Sequence, residues 1–152
     1  MKRRILLLTV VALSLILLAG CGQGKYLPKP NEELYGTWTN ERMPQQKSVI
    51  TASGFKSYTY IGDPDTFIEG TMQIISKSTD SEGNIWYKAF EIYTSGLHGL
   101  KGQKRQTPYK LSKSGTVLEC QPAYVGEFDP KSFPSKLDPK DQFYRIYFRS
   151  EK

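Results

Sequence analysis

Residues 84–94 read NIWYKAFEIYT, and the alternation within this stretch decides the fold. Side chains two positions apart lie on the same face of an extended strand. Trp86 and Phe90 therefore share one face, and Tyr87 and Tyr93 share the other. Because both faces carry aromatic residues, we expect a long strand whose two faces are both partly covered, or whose aromatic side chains line the mouth of a cavity.

The same pattern extends outward in both directions. Short segments rich in Tyr, Phe, Ile, Thr and Trp alternate with clusters of Gly, Pro, Asp, Asn and Ser. This pattern is typical of antiparallel strands joined by turns, and turns are predicted at DSEGN (80–84) and KSG (113–115). Strands are predicted near 34–40, 47–52, 55–61, 66–77, 84–94, 107–113, 116–121 and 142–149.

This arrangement of strands predicts an all-β fold. Eight strands in hairpins that are local in sequence favour a small antiparallel up-and-down β-barrel, because closure of the sheet removes its exposed edges. A two-sheet β-sandwich is the alternative.

The N-terminus has the pattern of an export signal. Lys2, Arg3 and Arg4 precede residues 5–19, an apolar run of about 15 residues that is shorter than the roughly 20 needed to span a bilayer. The ending LAGC (18–21) resembles the lipobox of bacterial lipoproteins. The resemblance implies cleavage before Cys21 and attachment of acyl chains such as palmitate to it. The alternative is an uncleaved anchor helix.

These features divide the chain into a signal peptide at 1–20, a flexible tether at 21–32 and a folded domain at 33–152. Several acyl chains on one residue hold a protein durably at a membrane, whereas a single chain does so only marginally. We therefore expect a lipid-anchored protein of the bacterial cell envelope. Gly22 follows the cysteine where an Asp signals inner-membrane retention in Gram-negative lipoproteins, which favours the outer membrane in such a host.

Charge and thiol content narrow the classes of partner. The chain carries a formal charge of +6, but removing the three basic residues of the signal leaves 18 basic and 15 acidic residues, a charge of +3. This dispersed charge argues against a nucleic-acid partner.

The cysteine count excludes an internal disulfide. With Cys21 lipidated, Cys120 is the only remaining thiol. Alternation places Cys120 on the same strand face as Leu118, and we expect that face to be buried.

One short motif connects the domain to a known superfamily. The segment LYGTW (34–38) matches the Gly-x-Trp motif that opens the first barrel strand of lipocalins, so the domain resembles a lipocalin-like, calycin-type barrel. The resemblance implies that Gly36 and Trp38 close one end of the barrel. It also implies that an arginine of the last strand, Arg145 or Arg149, packs across the indole.

Two short segments contain residues that could bind an anion or a metal ion, but each is also explained as an ordinary loop or turn. His98 lies in a loop rich in Gly and Lys, which is either a rim that attracts anions or an ordinary connection. Asp63 and Asp65 flank a proline near Glu69, but the oxygen spacing of calcium loops is missing and Asp-Pro favours a turn. We predict no catalytic residue, no metal site and no cofactor, and the protein is not expected to be an enzyme.

Residues 121–142 form a long segment with four prolines and two copies of DPK. Structureless segments of this length are uncommon in compact domains and are often lids or binding loops, so its aromatics either fold over a barrel mouth or fill a barrel end as core. The residues predicted to contact a ligand or form the lid are Tyr58, Tyr60, Trp86, Tyr124, Phe128 and Phe133.

Together these features favour a monomeric, membrane-anchored lipoprotein that binds a small apolar or amphipathic molecule in its barrel. The alternative is a structural or protein-interaction lipoprotein of the envelope, because side chains alone can fill an eight-stranded barrel. A cavity of about 300 Å3 or more would favour the first interpretation.

Overall fold

The computed structural model describes residues 32–58, 66–95 and 99–150. Predictions for the signal peptide, Cys21, most of the tether, Tyr60, the turn at 63–65 and His98 lie outside these residues. The elements are a 3-10 turn at Glu32–Leu34, then β1 (Gly36–Asn40), β2 (Lys47–Thr51), β3 (Gly54–Tyr58), β4 (Phe67–Thr79), β5 (Ile85–Ser95), β6 (Lys104–Leu111), β7 (Val117–Cys120), β8 (Ala123–Val125) and β9 (Arg145–Arg149).

Eight of these strands form a closed antiparallel barrel. Strands β1 to β7 pair in sequence order, and β9 lies between β7 and β1, so the sheet returns to its first strand. The predicted all-β barrel is confirmed, and the sandwich alternative is not. All the barrel strands lie within residues 36–149, so the barrel closes without any other part of the chain.

Strand β8 is the main departure from the predicted elements. The sequence predicts a long irregular segment that includes residues 123–125, but these residues pair with 104–106 of β6 in the register that β7 began. The interruption falls at Gln121 and Pro122, because a proline has no N–H to donate to the ladder. Strand β6 correspondingly begins at Lys104 and not near residue 107.

The predicted turn at 80–84 joins β4 to β5 and is organised by one carboxylate. Asp80 Oδ1 accepts hydrogen bonds from the backbone N–H groups of Asn84 (2.9 Å) and Glu82 (3.0 Å), and Oδ2 accepts one from the Trp86 indole (3.0 Å). These bonds, led by the one from Trp86, hold the pKa of Asp80 at about 2. The indole is thereby fixed against the outer side of the hairpin.

Alternation along β5 determines which residues form the core. Tyr87, Ala89 and Tyr93 are buried, whereas Trp86 and Phe90 are only half-buried. Cys120 is buried as predicted. The interior is filled on the β4 and β5 side by a cluster that includes Met72, Ile74, Tyr87, Ala89 and Leu111.

Candidate functional site

The barrel interior contains a cavity of about 260 Å3 at one end. Most of its lining residues belong to β1 to β3 and to β6, β7 and β9, whereas β4 and β5 contribute only Ile68 and Tyr93. Its lower part is apolar, with Trp38 and Leu118 at the floor and Ile50 and Phe55 on the wall. The cavity therefore offers an apolar surface to any molecule that enters from the open end.

A buried polar network forms one wall of the cavity. Glu91 and Arg105 are directly opposite each other in the β5–β6 ladder, and alternation places Thr107 and Tyr109 on the same inner face. The wholly buried Glu91 carboxylate accepts a hydrogen bond from Arg105 Nε. It accepts further bonds from Thr107 Oγ1 (2.9 Å) and Tyr109 OH (2.5 Å).

Arg105 is held on its other sides as well. Its Nη1 donates to Tyr93 OH at 2.7 Å, and its guanidinium lies 4.9 Å from the Phe55 ring centre and 5.0 Å from that of Tyr93. Desolvation lowers the pKa of Arg105, but attraction by Glu91 and the neighbouring tyrosines outweighs it and leaves that pKa above its ordinary value. The arginine is therefore a fixed cation in the cavity wall.

The hydroxyl and thiol groups around this network keep their protons at neutral pH. Burial raises the pKa of Tyr93 and of Tyr109. Burial also raises the pKa of Cys120, whose side chain lines the cavity, to about 12. Because a thiolate and not a thiol is the nucleophile, Cys120 acts in this wall as a small apolar residue.

Two aromatic residues flank the open end. The side chain of Tyr124, in β8, is 50% exposed. Its hydroxyl oxygen is 3.5 Å from that of Tyr93, and its ring centre is 6.3 Å from the ring centre of Phe143. Strand β8 pairs with β6, whereas β9 pairs with β7 and β1. Tyr124 and Phe143 thus lie at the part of the mouth where the interrupted strand leaves the barrel wall.

Of the two candidate partners of the indole, Arg149 packs on Trp38 and Arg145 does not, because they lie at opposite ends of β9. The Arg149 guanidinium is 4.3 Å from the centre of the Trp38 ring, at the closed end. Arg145 lines the cavity near its mouth. Gly36 has a φ of +133°, and a Cβ there would be 3.1 Å from Arg149 Nη1, so glycine permits both the backbone conformation and the approach of the guanidinium.

Only Tyr124, among the described residues predicted to contact a ligand or form the lid, lines this cavity. Tyr58 lies near Phe67, and Trp86 bonds to Asp80. Phe128 packs on Phe90 with ring centres 5.2 Å apart, and Phe133 packs in turn on Phe128. Residues 126–133 therefore cover the outer wall of β5 and neither the mouth nor the barrel end.

The sequence-based prediction missed Glu91, Arg105 and Phe143. One signal was present: an acidic residue at 91 interrupts the inward-facing series Tyr87, Ala89, Tyr93. A buried carboxylate requires a partner, which the strand register supplies.

Across the described ranges, no group of three or more His, Cys, Asp or Glu side chains is placed to hold a metal ion. No helix in that part of the chain is long and apolar enough to cross a membrane. Comparison of the chain with protein-family models, with curated proteins and with solved structures finds no match.

Proposed function

We propose that this protein is a lipid-anchored component of a bacterial cell envelope that binds a small amphipathic molecule in its barrel. The cavity of about 260 Å3 is smaller than the roughly 300 Å3 set above as the size that favours a ligand. The observation that carries the proposal is therefore its composition, an apolar floor with a polar wall. Ligand sites commonly have this composition, with a few placed polar groups in a largely apolar concavity.

The size of the cavity limits the size of the ligand. An engineered protein cavity of about 150 Å3 binds benzene, whereas sites for drug-sized ligands occupy about 300–1,000 Å3. A molecule of about ten non-hydrogen atoms suits the present volume, and a complete phospholipid does not. We expect dissociation constants between about 1 µM and 1 mM for such a ligand.

The arrangement at the closed end supports a relationship to lipocalins. A glycine, a tryptophan two residues later and an arginine of the last strand meet there, as the resemblance implies. The cavity lies towards the other end of the barrel, where Tyr124 and Phe143 line it. The relationship thus favours a binding function for the same cavity.

The anchor is testable by metabolic labelling. We expect the chain expressed in a bacterium to incorporate alkyne-tagged palmitate, and the Cys21→Ser variant to incorporate none and to lose the lipoprotein's mature mobility. Cys120→Ser removes the other of the two cysteines and serves as the matched control, which should be labelled like the wild type. Labelling of the Cys21→Ser protein would contradict the proposal.

Binding in the cavity is testable with a blocking substitution. Ser57 lines the cavity, and its Oγ is 2.8 Å from Ser48 Oγ. A phenylalanine at position 57 would occupy the space of a ligand. In isothermal titration of the protein comprising residues 22–152 with octanoate and 1-octanol, we expect Ser57→Phe to weaken binding at least about tenfold.

Thr71→Phe is the matched control for this experiment, because Thr71 is exposed on the outer face of β4. It should bind as the wild type does. Equal binding by the Ser57→Phe protein, with an unchanged circular dichroism spectrum, would show that the ligand lies elsewhere. Failure of every tested ligand to bind would favour the alternative, an envelope interaction protein in which the cavity is only a packing void.

A further inference from the structure

The charged residues that line the cavity are all positive. Two arginines, Arg105 and Arg145, line the cavity, and no aspartate or glutamate is among the described residues that do so. The carboxylate of the network, that of Glu91, is wholly buried and pairs with Arg105. The two cations therefore differ in how their charge is balanced.

Arg105 is neutralised by Glu91, but Arg145 is not neutralised in this way. Arg145 Nη1 donates to the backbone carbonyls of Gln142 (2.5 Å) and Tyr144 (2.9 Å). Within residues 32–58, 66–95 and 99–150, none of the ion pairs includes Arg145. A guanidinium has five N–H donors, so carbonyl contacts at one nitrogen leave donors and a full positive charge beside the mouth.

From this imbalance we infer that the cavity selects small anionic amphipaths, such as carboxylates with a short apolar body. The inference rests on the proposed function and names the class of ligand. The carboxylate pairs with Arg145 at the mouth, and the apolar body extends towards Trp38 and Leu118. Strand β9 rises about 3.3 Å per residue, which places Arg145 about 13 Å along the strand from Arg149, and Arg149 lies on the far side of the Trp38 ring.

The physical basis of this selection is a difference between charged and neutral head groups. A hydrogen bond to a charged partner is about twice as strong as one between neutral groups, and a guanidinium binds a carboxylate through two parallel bonds. A neutral alcohol of the same chain length gains the same apolar contacts but not this pairing. Octanoate and 1-octanol are therefore a matched pair of probes.

We expect calorimetric titration of the protein comprising residues 22–152 to show octanoate binding at least about tenfold more tightly than 1-octanol. Arg145→Gln should remove this preference by weakening octanoate about tenfold or more and leaving 1-octanol unchanged. Arg145→Lys, which keeps the charge but not the planar fork, should retain part of the preference. Arg42→Gln, an equal change of charge on an exposed turn outside the cavity lining, should leave both affinities unchanged.

The effect of ionic strength on ligand binding by the wild-type protein is a second test, and it does not depend on any substitution. Raising the ionic strength from about 0.05 to 0.5 M should weaken octanoate and not 1-octanol, because salt screens a partly exposed ion pair. Equal affinities for the two probes, or no effect of Arg145→Gln, would overturn the selection while the proposed function stands. If neither probe binds, both fail.

Discussion

Replacing Glu91 by leucine is expected to lower the free energy of unfolding by about 3–5 kcal/mol, because it leaves the Arg105 guanidinium in the barrel wall without its counter-charge. The same substitution removes the acceptor of the Thr107 and Tyr109 hydroxyl groups. Each buried hydroxyl without a partner adds a desolvation cost. Small domains are stable by about 5–15 kcal/mol in total, so this loss is a large share of the stability of the barrel.

Urea unfolding followed by circular dichroism measures this loss. Glu69→Leu is the control, because it makes the same change on the outer face of β4, where the side chain is only half-buried. Substitutions away from the core usually change stability by less than about 0.5 kcal/mol. A loss below about 1 kcal/mol for Glu91→Leu would show that the network does not stabilise the fold.

A double variant separates the effect of charge from that of packing. Arg105→Met removes the stranded cation, and apolar replacement of a complete buried ion pair is often neutral or stabilising. We therefore expect the Glu91→Leu, Arg105→Met protein to recover most of the stability that Glu91→Leu loses. A double variant as unstable as the single one would attribute the loss to shape and not to charge.

Only part of the Glu91–Arg105 network could be predicted from the sequence. Alternation along residues 84–94 correctly groups Glu91 with Tyr87 and Tyr93. Its partner was hidden, because the predicted strand began near residue 107 and left Arg105 in a loop rich in Gly and Lys. An arginine at a strand end is usually solvated, and only the register set by the β5–β6 pairing shows that it faces Glu91.

The position of the segment that follows β8 could also be predicted only in part. Its aromatic residues correctly indicated contact with the barrel, but composition does not specify which surface they contact. In the structure Gln106 Nε2 donates to Ser132 Oγ and Gln106 Oε1 accepts from the Asp129 N–H, both at 2.7 Å. These bonds from the outer side of β6 place Phe128 and Phe133 outside the barrel and away from the cavity.

The second large effect is expected at the closed end, where Arg149 joins three parts of the chain. Arg149 Nη1 donates to the Tyr35 carbonyl (2.7 Å) and Nη2 donates to that of Glu33, while Nε donates to the Gly115 carbonyl (2.8 Å) of the β6–β7 turn. The same guanidinium covers Trp38. A lysine keeps the charge but can neither make this set of bonds nor stack as a plane.

We therefore expect Arg149→Lys to lower the free energy of unfolding by about 2–4 kcal/mol, from the lost hydrogen bonds and the weakened contact with the indole. For a domain of this size the melting temperature should fall by roughly 10 °C. Thermal unfolding measures the change, with Arg42→Lys on an exposed turn as the matched control that should leave the melting temperature unchanged. A fall of less than about 2 °C would show that Arg149 does not hold the closed end.

The location of Trp38 distinguishes a local from a global effect of this substitution. The indole Nε1 donates to the Leu34 carbonyl at 2.9 Å, and the ring is the floor of the cavity on one side and the contact of Arg149 on the other. With Trp86→Phe removing the second of the two tryptophans, fluorescence reports Trp38 alone. We expect the Arg149→Lys protein to emit at longer wavelength while still folded, because water reaches the ring from the closed end, and to bind octanoate more weakly although Arg145 is unchanged.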